Sequence, residues 1–134
     1  MIYFKLSSSA GKQMDDSSSQ LKKFQKELSA GTVSLVLLAV LGQSRQPMYG
    51  YQIARRLEEV GEGVLAGKQS ALYPVLRNLE GTGLLASEVE PSISGPPRRY
   101  YRITKLGREA LRDWVAAWNA SRDCVDNVLQ GGVR

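Results

Sequence analysis

The stretch Leu84–Thr104, LLASEVEPSISGPPRRYYRIT, decides the fold. Two short strand-like runs, Leu84–Glu90 and Arg98–Thr104, flank the connector PSISGPP, whose Pro, Ser and Gly residues are typical of a turn. Because successive side chains of a strand point to opposite faces, Tyr101 and Ile103 are expected to face a core. The stretch therefore predicts a β-hairpin whose outer face carries arginine and tyrosine, with none of the opposing acids that a neutral surface would carry.

Three helices are predicted before the hairpin. From Lys22 the chain has a helical pattern that becomes almost entirely apolar over residues 33–41 and stops at Gly42, which indicates a partly buried helix. Apolar residues recur at helical spacing again within residues 48–63 and 68–83, and glycines close both segments. Proline is tolerated in the first turn of a helix, so Pro74 predicts that the third helix starts at Gln69 or Ser70.

A fourth, long helix is predicted after the hairpin. Thr104 is a suitable N-cap, and the helix can run to about Gln130. Three helices, a hairpin and a further helix form the plan of a winged helix-turn-helix protein, mainly α with a small β-hairpin. The predicted domains are a disordered, Ser-rich tail over residues 1–20, a DNA-binding domain over 21–104 and a C-terminal dimerisation helix over 105–134.

Charge and composition narrow the classes of function. The 134-residue chain has a net charge of +5 and a pI of about 9.5, and Ser94–Arg108 holds five cations and no acid, which favours an anionic partner. Histidine is absent and Cys124 is the single cysteine, which removes the usual general base, the commonest zinc ligand and any internal disulfide. The longest apolar run, Leu35–Leu41, is far shorter than the ~20 residues that cross a bilayer. We expect a cytoplasmic protein without catalytic residues, metal, cofactor or membrane partner.

The candidate DNA contacts lie on the third helix and on the hairpin. The face of that helix opposite its apolar stripe offers Gln, Asn and Arg, which read base edges, and Ser and Tyr, which suit phosphates. The same residues also make an ordinary exposed face, and a basic hairpin by itself is most often a solvated surface. Together they favour a recognition helix beside a phosphate-binding wing. The predicted contacts are Lys68, Gln69, Ser70, Tyr73, Arg77 and Asn78 from the helix, with Lys68 on phosphate, and Arg98, Arg99 and Tyr100 from the hairpin.

The fourth helix carries a heptad seam that predicts dimerisation. Trp114 and Trp118, four residues apart, are either anchors of the dimer core or the walls of a cavity that stacks a flat aromatic effector. Cys124 is expected to be a small packed residue. The predicted dimerisation residues are Leu111, Trp114, Trp118, Val125 and Val128.

Three segments together resemble the PadR family of bacterial transcriptional regulators: MYGYQIARRLEE, SALYPVLRNLEGTGLL and SGPPRRYYRITKLGREAL. The resemblance covers residues 26–129 and implies a homodimeric repressor that a small, often aromatic, molecule releases from a near-palindromic operator. The resemblance is to the short members of the family, which pair through the last helix. In some of these members a tryptophan at the position of Trp118 stacks on the ligand. Ser70-Ala71 departs from the Gly-Thr that members often carry, and the Ser-rich extension is atypical. The residues that the resemblance places on the DNA side are Tyr49, Ser70, Tyr73, Arg77, Arg98 and Arg99.

The sequence thus predicts a sequence-specific, ligand-responsive repressor that binds double-stranded DNA as a homodimer. The alternative is a winged-helix module that binds protein and has no salt-dependent affinity for DNA. A membrane-surface protein would need a basic amphipathic helix with exposed apolar residues, whereas the charge here lies on a hairpin.

Overall fold

The computed structural model describes residues 10–61 and 69–132. Within them, four helices and a small antiparallel sheet follow one another in the predicted order, so the predicted mainly α, winged-helix fold is confirmed. The dimerisation role of the last helix stays a prediction. The elements are α1 (Ala10–Gln43), β1 (Met48–Tyr49), α2 (Gly50–Gly61), α3 (Gln69–Gly81), β2 (Leu85–Glu90), β3 (Arg98–Ile103) and α4 (Lys105–Gly132).

The first helix begins earlier than the sequence indicated. It starts at Ala10, so the predicted disordered tail is wrong for residues 10–20, and residues 1–9 lie outside the described part of the chain. The physical reason is that neither Gly nor Pro occurs from Lys12 to Ala30, and Lys, Gln, Leu and Glu are good helix formers. Serine content alone does not interrupt such a helix.

The chain divides into two compact units, residues 1–32 and 33–134. In the first unit every described side chain from Asp16 to Leu28 is exposed. Leu21, Phe24 and Leu28 form one apolar stripe there, at spacings of three and four. The second unit contains the hydrophobic core.

The part of α1 from Asp16 to Gln43 is, by length and composition, long and apolar enough to cross a membrane. The mean hydropathy of its most apolar 18-residue window is 1.4, and 22% of that window is buried. The uninterrupted run Leu35–Leu41 did not reveal this, because small polar residues break up the window. The core helix of a soluble protein passes the same test, and Leu37, Leu38 and Leu41 are buried in the protein core.

The core joins the end of α1 to α2, α3 and the sheet. Tyr101 and Ile103 are buried, so their predicted inward orientation is confirmed. Each fully buried side chain of this size contributes roughly 1.5–3 kcal/mol of transfer free energy to folding. The other buried apolar residues are Leu37, Leu38, Val40, Leu41, Ile53, Ala54, Leu57, Leu72, Leu76, Leu79, Leu84 and Leu85.

The hairpin is part of a three-stranded antiparallel sheet with the order β1-β3-β2. The short strand β1, which the sequence did not predict, pairs Tyr49 with Tyr100. On the other side of β3, Ser87 pairs with Tyr101. The central strand therefore has an inner face, which carries Tyr101 and Ile103, and an outer face, which carries Tyr100.

The turn after α3 fixes the hairpin to the end of that helix. The N–H of Leu84 donates to the carbonyl of Leu79 at 2.9 Å, and the N–H of Gly83 donates to that of Glu80 at 2.9 Å. With Gly83 at a φ of 85°, in the left-handed region, these bonds form a Schellman motif. The helix thus passes into β2 through a defined turn.

Thr104 caps α4, as the sequence indicated. Its Oγ1 accepts the N–H of Gly107 at 2.9 Å and donates to the carbonyl of Gly83 at 2.7 Å. One side chain therefore begins the last helix and ties it to the turn that precedes the wing.

Candidate nucleic-acid interface

The helix α3 presents part of the predicted recognition face. Arg77 and Asn78 are exposed on it, and Tyr73 is half-buried. Gln69 and Ser70 form its first turn, which matches the predicted start, but their side chains lie outside the described part. Lys68 lies outside the described residues altogether.

Tyr73 also has a structural contact that sequence analysis missed. Its ring lies against Gly50 at the start of α2, where an added Cβ would be 2.6 Å from Oη and 2.9 Å from Cζ. Any larger residue at position 50 would displace the tyrosine, so Gly50 permits the close approach of α2 and α3. The glycine between two tyrosines in the sequence Tyr-Gly-Tyr was the available signal.

The inner face of the wing carries a hydrogen-bonded relay. Nη1 of Arg99, on β3, donates to Oγ of Ser87, on β2, at 2.9 Å. The Ser87 hydroxyl in turn donates to Oε2 of Glu80, near the end of α3, at 2.6 Å. Three elements that are separate in sequence are thereby linked through side chains.

Charges from α3 and from the wing both act on the Tyr101 phenol. Burial raises the pKa of the Tyr101 phenol above its ordinary value, and the negative charge of Glu80 raises it further. The positive charges of Arg99 and Arg77 act on the same hydroxyl in the opposite direction. Glu80, which the relay joins to Arg99, is three residues after Arg77 on α3, so Arg77 and Glu80 are neighbours on the surface of that helix.

The outer face of the sheet holds an aromatic cluster topped by a cation. The guanidinium carbon of Arg98 lies 4.5 Å from the centroid of the Tyr49 ring, a cation–π contact. The Tyr49 ring meets Tyr100 edge to face at 5.4 Å and is stacked on Tyr51 at 6.4 Å. Tyr49, Arg98 and Tyr100 are thus brought together, on the face of the sheet opposite to Arg99.

The outer face is not the purely basic surface that the sequence indicated. Across the β2–β3 ladder, Glu90 stands opposite Arg98 and Glu88 stands opposite Tyr100. The expectation of an unopposed basic face is therefore wrong, because the acids come from the partner strand. Within residues 10–61 and 69–132, no ion pair within 4 Å joins Arg98 to either acid.

The seam of α4 is divided between the core and the surface. Leu111 and Trp114 are half-buried against the core of their own chain, and Leu111 Cδ2 would be 3.1 Å from a Cβ at Gly42. Trp118, Val125 and Val128 are 40%, 54% and 67% exposed. Cys124 is also exposed, so its predicted burial is wrong for the single chain.

Within residues 10–61 and 69–132, no group of three or more His, Cys, Asp or Glu residues could hold a metal ion.

The sequence and the fold of the chain match a known family of proteins. The model of the transcriptional regulator PadR-like family matches residues 37–113. That range contains α2, α3, the whole sheet and the start of α4. The resemblance predicted from the sequence is confirmed.

Solved structures of similar proteins carry the same family name. A PadR family transcriptional regulator from Eggerthella lenta is 38% identical with a TM-score of 0.68, and the match covers 90% of this chain and 97% of that chain. A PadR-like transcriptional regulator from Bacillus cereus is 27% identical with a TM-score of 0.63, and the match covers 78% of this chain and 97% of that chain.

Two further relatives are similar in sequence. An uncharacterized protein of Lysinibacillus sphaericus is 29% identical over 98 residues, 73% of this chain and 87% of that protein. The transcriptional regulator Rv3488 of Mycobacterium tuberculosis is 39% identical over 66 residues, 49% of this chain and 58% of that protein.

Proposed function

Because the chain belongs to the transcriptional regulator PadR-like family and is thus a DNA-binding regulator, we propose that it is a cytoplasmic, homodimeric repressor. It binds a palindromic operator and is released from it by a small aromatic effector. The regulator class comes from the family, and the remaining features are argued below from the residues of this chain.

The observation that carries the DNA-binding surface is the junction of α3 and the wing. Arg99 on β3 is hydrogen-bonded through Ser87 to Glu80, which lies three residues after Arg77 on α3. With a helix in the major groove and a strand on the adjacent backbone, cations at such a junction lie near the phosphates and can neutralise them.

The two faces of the wing have different roles in this proposal. The main contact surface is formed by α3 together with the inner face of the wing. Its residues are Tyr73, Arg77 and Asn78 on α3 and Arg99 on β3. On the outer face, Arg98 with Tyr49 and Tyr100 makes a weaker phosphate contact, because two acids share that face. Lys68, Gln69 and Ser70 complete the proposed surface at the start of α3.

Two-fold symmetry sets the spacing of the operator. A dimer presents two copies of α3, so its half-sites are separated by about 10 bp or a multiple of that number. An operator without such a repeat would not engage both recognition helices.

Dimerisation is proposed through the exposed part of the α4 seam. Trp118, Val125 and Val128 lie on one side of the helix at spacings of seven and three, and all three are exposed in the single chain. Leu111 and Trp114 continue the seam into the core, so the proposed interface is continuous with the hydrophobic interior.

Val125→Asp is expected to convert the dimer to a monomer and to weaken operator binding at least tenfold. An unpaired carboxylate in an apolar interface costs several kcal/mol, and a monomer loses the linked second half-site. Sedimentation and DNA titration measure the two effects. The matched control is Val60→Asp on α2, since Val60 is 51% exposed and lies outside the seam. A Val125→Asp variant that remains dimeric would rule out this interface.

The effector is proposed to bind between the two copies of α4. The exposed ring of Trp118 offers a rigid π-face to a flat molecule, whereas Trp114 is half-buried in its own chain. To release DNA, the ligand must bind the non-binding arrangement of the dimer more tightly. A planar aromatic dye should quench tryptophan fluorescence in wild type and in Trp114→Phe but not in Trp118→Phe; quenching that persists in Trp118→Phe would remove Trp118 from the site.

The alternative of a protein-binding winged helix makes a different prediction. It requires DNA affinity that is weak, equal for all sequences and unrelated to Arg77 and Arg99. The regulator family of the chain favours the first proposal.

A further inference from the structure

The relay on the inner face of the wing has a geometry that a simple surface ion pair lacks. Arg99 does not meet the Glu80 carboxylate within salt-bridge distance in the described part of the chain. Instead the Ser87 hydroxyl stands between them, accepting from Arg99 at 2.9 Å and donating to Glu80 at 2.6 Å. Ser87 and Glu80 are half-buried, while Arg99 is exposed.

This arrangement holds one end of the guanidinium and leaves the rest available. The bond to Ser87 uses Nη1, whereas a guanidinium has five N–H donors in a fixed plane. A free arginine side chain must lose up to about 2 kcal/mol of rotamer entropy when a partner orders it. An arginine that is already ordered loses less on binding.

The origin of Glu80 adds a second constraint. Its own carbonyl accepts the Gly83 N–H in the turn that closes α3, so the backbone that carries the carboxylate is fixed. The relay therefore transmits the position of the recognition helix to a cation on the wing.

We propose that Glu80 and Ser87 are positioning residues that orient Arg99 toward a DNA phosphate in register with α3. The inference rests on the proposed contact between Arg99 and DNA. It assigns a favourable role in DNA binding to a carboxylate whose charge, acting alone, would repel the phosphates.

The sign of the effect of Glu80 separates positioning from simple charge. If Glu80 acted only as a negative charge, Glu80→Ala would bind DNA more tightly. If Glu80 positions Arg99, the Glu80→Ala variant is expected to bind DNA more weakly than wild type. Glu88→Ala removes the same charge from the outer face of the same wing, outside the relay, and is expected to bind at least as tightly as wild type.

Ser87→Ala tests the relay without any change of charge. Loss of one ordering hydrogen bond is expected to weaken binding roughly two- to tenfold. Ser87→Thr, which keeps the hydroxyl, is expected to restore affinity. In the double variant Ser87→Ala/Arg99→Ala, the serine substitution should cost nothing beyond Arg99→Ala, because the two residues act through one contact.

The experiment is fluorescence anisotropy with a duplex from the upstream region of the gene, at two salt concentrations, with thermal unfolding of each variant. A purely structural role would lower the unfolding temperature, leave the salt slope unchanged and give additive losses in the double variant. Tighter binding by Glu80→Ala, or additive losses in the double variant, would overturn the inference while the DNA contact of Arg99 stands. An Arg99→Ala variant that binds DNA as tightly as wild type would contradict the contact of Arg99 with DNA, and the inference with it.

Discussion

Replacing Arg77 and Arg99 together with alanine is expected to lower the affinity for duplex DNA roughly fifty- to hundredfold at about 0.1 M salt, and to reduce the salt slope by about 2. Arg77, which the sequence analysis grouped with residues that read base edges, is here proposed to neutralise one phosphate, and Arg99 a second one. A variant that lacks one phosphate contact releases one fewer counterion when it binds DNA. Arg99 is hydrogen-bonded through Ser87 to Glu80, three residues after Arg77 on α3, so the two cations are expected to act on neighbouring phosphates. Anisotropy titrations over a series of salt concentrations measure both quantities.

The control for this double variant removes the same charge from α4. Arg112→Ala with Arg122→Ala takes two exposed arginines from outside the junction of α3 and the wing. Its salt slope is expected to stay within experimental error of wild type. Equal losses in the two double variants would mean that net charge, and not this surface, determines the affinity.

Gly107→Ala is expected to lower the free energy of unfolding by about 3 kcal/mol, at the upper end of the usual cost of overpacking. An added Cβ would overlap the carbonyl oxygen of Leu84 and lie 2.7 Å from Cγ1 of Ile103. The Leu84 carbonyl also accepts the N–H of Thr104 at 3.1 Å, so displacing it breaks a bond between the wing and the start of α4. Denaturant unfolding measures the change.

Gly131→Ala is the matched control on the same helix. An added Cβ there meets nothing within 4 Å, and the expected change in stability is within about 0.5 kcal/mol. Equal stability of Gly107→Ala and wild type would show that α4 does not dock on the wing turn as described.

The parts of the fold that depend on local pattern were predictable from the sequence. Alternation along β3 placed Tyr101 and Ile103 in the core, and the hydroxyl of Thr104 marked the start of α4. The predicted start of α3 matches its first residue, Gln69, but the reason given for it was wrong, because Pro74 is the sixth residue and lies inside the helix, beyond the first turn. Each of these signals acts over a few residues.

The features that depend on distant residues were not predictable. The stretch around Arg98 contains no acid, yet strand pairing places Glu90 opposite it. Glu80, Ser87 and Arg99 form their relay only after α3, β2 and β3 have been assembled. Strand register and helix docking, which no short pattern encodes, decide these neighbours.

The course of α1 was misjudged for a different reason. The serines near its start suggested disorder, but helix propensity summed over a segment without Gly or Pro outweighs them.

The most direct test of the central claim is fluorescence anisotropy of a labelled duplex from the upstream region of the gene, compared with a scrambled duplex at two salt concentrations. A homodimeric repressor with the surface described here should bind the upstream duplex tightly, should bind the scrambled one at least a thousandfold more weakly, about the lower limit for specific regulators, and should lose affinity as salt rises. Weak binding to both duplexes, with equal affinity and no dependence on salt, would contradict the account and favour a winged helix that binds protein.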